Sequence, residues 1–203
     1  MKKLFLAIIA LLAVSASSAQ DLRWGPTAAL NLSWLRGAKV ANSSDCYIGF
    51  QVGIKAERDF SDIIYDGFYL DGKLTYTLKG AEWAGMHQNL GYLEIPVNLG
   101  YRLPVSQSVS LMAGFGPYFG LGILGKQVEK VDDGKLKTDI FGETFQRFDF
   151  GLNYNLGVEL WGQWQFFMGF EHSLINVLKS KPEGVSDLKY RPLNLYFGTA
   201  FMF

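Results

Sequence analysis

The chain has one cysteine and two histidines in 203 residues. A lone thiol, Cys46, closes no intramolecular disulfide, and it lies too far from the N-terminus to be a lipid-attachment cysteine. It reads as a small residue at a strand entrance. Charge of one sign is also missing: 19 basic residues balance 19 acidic ones, which argues against nucleic acid as a partner. Beyond residue 20 no apolar run reaches the roughly 20 residues of a transmembrane helix, because glycine, asparagine or a charge interrupts each. Aromatic residues, at 15%, and 23 glycines are abundant instead, which suits a lipid-facing wall and tightly packed, curved strands.

Residues 1–20 have the form of an export signal. Lys2 and Lys3 precede the apolar run Leu4–Val14, and a small, polar exit ends in Ser18-Ala19-Gln20. The run is too short to span a bilayer, so cleavage after Ala19 is expected, with residues 1–19 as signal peptide and 20–203 as a single domain.

A two-residue beat then returns eight times, placing alternate side chains on opposite faces of β-strands. It is clearest where Ile48, Phe50, Val52, Ile54 and Ala56 alternate with Gly49, Gln51, Gly53, Lys55 and Glu57. Seven other segments follow the same rule, from Leu22–Arg36 through Phe68–Leu78, Tyr92–Arg102, Val109–Ile123, Phe148–Leu160 and Trp164–Leu174 to Leu193–Phe203. The expected fold is all-β, an eight-stranded up-and-down antiparallel transmembrane barrel.

Alternation does not say which parity faces inward, since a soluble barrel would bury the large apolar set. The other parity is rich in glycine, serine and asparagine, as the narrow interior of eight strands requires. The strands are long, and Trp24 and Trp34 share one face about 25 Å apart along the barrel axis, the spacing of two aromatic girdles. The apolar set therefore points to lipid. Gaps alternate in length: Ser61–Tyr65, Leu103–Gln107 and Gly162–Gln163 are short, whereas Gly37–Cys46, Gly80–Asn89, Leu124–Gln146 and Leu178–Lys189 are longer. Short periplasmic turns and long outer loops put both termini in the periplasm of a Gram-negative envelope.

The chain resembles the PorT-like outer-membrane β-barrel family of Bacteroidetes-type bacteria. The likeness rests on Ala29-Leu30-Asn31-Leu32-Ser33, Tyr92-Leu93-Glu94-Ile95-Pro96, Gly116-Pro117-Tyr118, Arg147-Phe148-Asp149-Phe150-Gly151 and the terminal Phe203. One departure is Pro26-Thr27-Ala28-Ala29, where relatives carry more glycine. The resemblance implies an eight-stranded barrel, delivery by the barrel-assembly machinery through the terminal aromatic, and a role beside a secretion apparatus.

The inward parity collects Lys55, Glu57, Asp71, Lys73, Glu94, Arg102, Asp149, Glu159 and Glu171. Charges in a narrow interior need partners, so a plug of ion pairs is expected, with Glu94 and Glu159 beside Arg102 or Lys73. The alternative is a selective channel or a small-ligand site. His172-Ser173 suggests a lipid-modifying hydrolase, but strand neighbours point to opposite faces and do not meet as base and nucleophile. The other histidine, His87, falls in an expected outer loop. No metal-ligand spacing stands out, and Asp132-Asp133-Gly134 lacks the oxygen ligands of a calcium loop and reads as a hairpin turn. Around it, Leu124–Gln146 carries Ile140, Phe141 and Phe145, a surface suited to docking a protein or equally a solvated cap. Asn31-Leu32-Ser33 and Asn42-Ser43-Ser44 match a glycosylation pattern, the first within a strand.

These readings combine into a non-enzymatic structural or accessory envelope protein. It needs no cofactor or metal, sits in outer-membrane lipid and has an envelope protein as partner.

Overall fold

In the computed structural model, residues 22–37, 46–61, 64–83, 86–131, 134–139, 141, 145–179 and 190–203 are described. The expected signal peptide and the Asn42 glycosylation pattern lie outside them, as do Asp132 and Asp133.

Nine strands follow in order: β1 (Leu22–Gly37), β2 (Tyr47–Asp59), β3 (Phe68–Trp83), β4 (Met86–Ser106), β5 (Val109–Val131), β6 (Gly134–Asp139), β7 (Phe148–Leu160), β8 (Trp164–Ser173) and β9 (Tyr190–Phe201). Eight form a closed antiparallel ring in which β9 returns to pair with β1. The ninth, β6, lies outside the ring and, among the described residues, pairs only with β5. Closure gives every wall strand two neighbours, so no open edge is left to hydrocarbon. The described residues contain no helix.

The register sets the barrel's dimensions. Stepping across hydrogen-bonded neighbours from Leu22 leads to Arg58, Leu70, Leu99, Phe115, Tyr154, Phe170, Leu195 and back to β1 at Leu32. The circuit thus returns ten residues up its own strand. With normal strand spacing, that shear gives a tilt of about 41° and a backbone radius of about 8 Å. So narrow a cylinder is filled by its own side chains.

The faces divide by parity. Leu30, Ile48 and Leu156 are 66%, 72% and 61% exposed, while Asn31, Asn98, Asn153 and Asn194 are buried. Apolar side chains outside and amides inside invert the arrangement of a soluble barrel. Trp24 lies on the outer face against Phe203, with ring centroids 5.5 Å apart, and the Phe203 amide donates to the Trp24 carbonyl at 2.9 Å. That bond ties the C-terminus to the first strand.

Glycine creates room for tyrosine inside the wall. The Tyr69 ring lies over Gly100 and the Tyr196 ring over Gly169, where an added Cβ would come within 2.2 Å and 2.1 Å of ring carbons. Gly169→Ala should therefore cost about 1–3 kcal/mol by overpacking. Urea unfolding in lipid vesicles, read by the heat-dependent gel mobility of folded barrels, would measure it. An unchanged midpoint would mean the Tyr196 ring has freedom to move aside.

The strands outrun the sequence expectation at both ends: β4 runs through most of the expected turn Leu103–Gln107 to Ser106, and at the hairpin end the extension is larger. The expected loop Gly80–Asn89 continues β3 to Trp83 and starts β4 at Met86, so His87 is a strand residue opposite Glu82. Likewise β5 runs to Val131 and turns into β6, pairing Val131 with Gly134 across residues 132–133. Backbone pairing needs no alternation of polarity once a strand leaves hydrocarbon for water, so the sequence beat fades before the hairpins end. At the other end the turns stay tight. Trp161 and Gly162 both adopt positive φ between β7 and β8, closed by Gln163 N–H to the Leu160 carbonyl at 3.1 Å. Backbone positive at both central positions matches the twist of a two-residue hairpin.

Candidate functional site: a filled polar lumen

All nine charged residues selected by parity share the inner face. They bond across the lumen in three tiers. Near the chain termini, Glu57 of β2 accepts from Arg23 of β1 and Arg102 of β4. It also lies 3.2 Å from the Lys55 ammonium and accepts from Gln165 Nε2 at 3.1 Å. Glu159 of β7 faces the same guanidiniums, 2.9 Å from Arg23 and 3.1 Å from Arg102, and accepts from Gln165 at 2.8 Å. Lys55 donates to Gln165 Oε1 at 2.7 Å, so one amide joins both carboxylates to a lysine.

The middle tier is mostly neutral. Asn98 donates to Asp71 at 2.7 Å, Asn153 donates to Asn98 at 2.8 Å, and the Tyr196 hydroxyl donates to Asn153 at 2.7 Å. That relay links β3, β4, β7 and β9 through the centre of the barrel. Lys73 stands beside it with its ammonium 4.1 Å from the Phe167 ring centroid and 5.3 Å from that of Tyr196, in cation–π geometry. The void beside Lys73 is about 10 Å³, room for roughly one water.

In the third tier Lys79 of β3 bridges Glu94 of β4 at 2.6 Å and Glu171 of β8 at 2.7 Å. Asn194 steadies Glu171 from β9 at 2.9 Å. Asp149 accepts from the Tyr118 hydroxyl at 2.9 Å and from the Ser173 hydroxyl at 2.5 Å. Above this tier the mouth is apolar: Leu90, Tyr92, Phe141, Phe145 and Val177 form a small buried core. Phe141 meets Tyr92 edge-on at 5.5 Å and lies over Gly122 and Gly125, where no side chain stands in its way. Phe141 and Phe145 thus face the barrel and cap it, which removes them from any docking surface.

Two pairings differ from the sequence reading. Glu159 does meet Arg102, but Glu94 pairs with Lys79, and Lys73 sits on aromatic faces. Arg23 and Lys79 were the residues missed. Both keep the inward parity: Arg23 already stands within the expected strand Leu22–Arg36, and Lys79 is one step beyond the expected end of its own, where continuing the count by one position finds it.

Chemically the arrangement is a set of mutually satisfied ion pairs. Ser173 points inward, bonded to Asp149 and to the Ile175 carbonyl, while His172 occupies the opposite parity. They do not form a nucleophile and its base. Buried, paired charges of this density favour a single rigid arrangement, since any unpaired member would be costly.

A family model described as outer membrane protein beta-barrel domain matches residues 4–201. No curated protein matches the sequence. Among solved structures, the chain is similar to Ail, the attachment invasion locus protein of Yersinia pestis, at 14% identity, covering 91% of this chain and 100% of that one with a TM-score of 0.48. Neisserial surface protein A is similar at 16% identity, 89% and 99% coverage and a TM-score of 0.48. OprG from Pseudomonas aeruginosa is similar at 13% identity, 90% and 95% coverage and a TM-score of 0.49.

Proposed function

Because the chain belongs to the outer membrane β-barrel protein family, we propose that it is a non-enzymatic structural or accessory envelope protein acting through its rims. The filled lumen carries this reading. Three tiers of bonded side chains and an apolar cap occupy the interior, where a solute path would run. What remains for interaction is the hairpin end, where β5 and β6 extend past the ring. In this reading the termini and tight turns face the periplasm and the hairpins face outward. The partner is another envelope protein, and a secretion assembly of the PorT-like kind is its most specific form.

Replacing residues 129–136 by Asn-Gly shortens the β5–β6 hairpin while leaving a two-residue turn that suits paired strands. Affinity purification from native envelopes in mild detergent should recover a stoichiometric partner with the intact chain and lose it with the shortened one. In planar bilayers the intact protein should give no discrete conductance steps. Steps that change with Glu94→Gln would put the channel reading ahead, and a partner retained by the shortened hairpin would move the docking surface elsewhere.

A further inference from the structure

On the outer wall, beside the rim that bears the termini, small residues leave a trough. Ala56 of β2 and Gly72 of β3 lie directly opposite one another and form its floor. Ile54, Leu74 and Ile95 wall one end and Leu22 and Leu70 the other, enclosing about 390 Å³. Gly72 is open: a Cβ there would meet only the Pro96 carbonyl oxygen, at 3.9 Å. A glycine in a strand with space above it is a place where another molecule approaches the backbone. From Ile54 to Arg58 the trough is about 13 Å long at the normal strand rise, the length of a stretch of extended acyl chain.

Arg58 stands at its rim end, on the outward parity and lining the trough. Its guanidinium lies 5.3 Å from the Phe60 ring, and its Nε is buried with no hydrogen-bond partner among the described residues. The adjacent carboxylates are engaged elsewhere: Glu57 inside the lumen, and Asp59 with Arg102 and the Ser61 amide. Trp24, paired with Ala56, and the exposed Ile64 and Tyr65 of the β2–β3 turn mark this level as the edge of the apolar band.

We infer that this trough binds one anionic phospholipid, with an acyl chain over Ala56 and Gly72 and the phosphate on the Arg58 guanidinium. Charge complementarity selects the headgroup, since Arg presents planar donors suited to phosphate. The inference rests on the membrane orientation proposed above, which puts Arg58 in the periplasmic leaflet, where phospholipid rather than lipid A supplies the phosphate.

Native mass spectrometry of the folded, delipidated barrel tests it, using phosphatidylglycerol and phosphatidylcholine of identical acyl chains, and lipid A in a third arm. The wild-type chain should retain one phosphatidylglycerol in preference to phosphatidylcholine. Arg58→Gln should erase the preference, and Gly72→Leu, which fills the trough, should weaken retention of phosphatidylglycerol, each by about tenfold. Equal retention of both phospholipids by the wild type overturns the site, as does tighter binding of lipid A. Retention unaffected by Gly72→Leu overturns the acyl seat. Should that variant not fold, the Arg58→Gln comparison decides alone, because Arg58 lies outside the lumen network. Failure of the wild-type chain to insert into vesicles would instead count against the membrane reading itself.

Discussion

Lys79→Met should destabilise the folded barrel by about 3–5 kcal/mol, the cost of removing one partner from a buried ion-pair cluster. The ammonium lies between Glu94 and Glu171, all three side chains being nearly inaccessible. Its removal leaves two carboxylates facing one another in a dry interior, with Asp149 close by on the same tier. The comparison that isolates charge from packing is Lys79→Met combined with Glu94→Gln and Glu171→Gln. That triple variant should recover much of the loss, because the two facing carboxylates are gone and Asp149 keeps its bonds from the Tyr118 and Ser173 hydroxyls. Equilibrium urea unfolding in vesicles reads both. A single-variant loss below about 1 kcal/mol would mean that water reaches this tier and the plug is looser than the geometry shows.

Leu156→Arg tests the outer face, with an expected loss of about 2–4 kcal/mol. Leu156 projects from β7 between its partners Ala113 and Met168, five residues from Trp161 at the turn. At normal rise and the tilt derived above, that is about 12 Å along the axis, close to the middle of an apolar band about 25 Å tall. An arginine there must snorkel or thin the bilayer. Asn155→Ala, one residue away on the inner parity, should cost much less. An exposed position on a water-soluble barrel would accept arginine at almost no cost, so a neutral result for Leu156→Arg would reverse the two faces.

The physics of the strand explains how much could be read in advance. Period two is a property of the backbone alone, so Ile48 and Gly49, or Leu156 and Asn155, divide between faces whatever surrounds them. Strand number, closure and the assignment of faces follow from that beat, together with the contrast between long and short gaps. The beat fails where its cause stops. Past Leu78 and Ile123 the alternation of apolar and polar residues stops, while pairing continues to Trp83 and Val131. Lys79 was missed for the same reason, standing on the inward parity one residue past Leu78, where the alternation stops.

Local sequence by itself determined which side chains enter the lumen and which face lipid, because that depends only on parity. Tertiary structure decided which of them meet. The ten-residue shear lifts each strand against the next. Glu94 therefore finds Lys79 rather than Arg102, Lys73 reaches two aromatic faces, and Ala56 falls beside Gly72 to open a trough beneath Arg58. Partner choice across a barrel depends on register around the whole ring, a sum over eight interfaces that no single segment encodes.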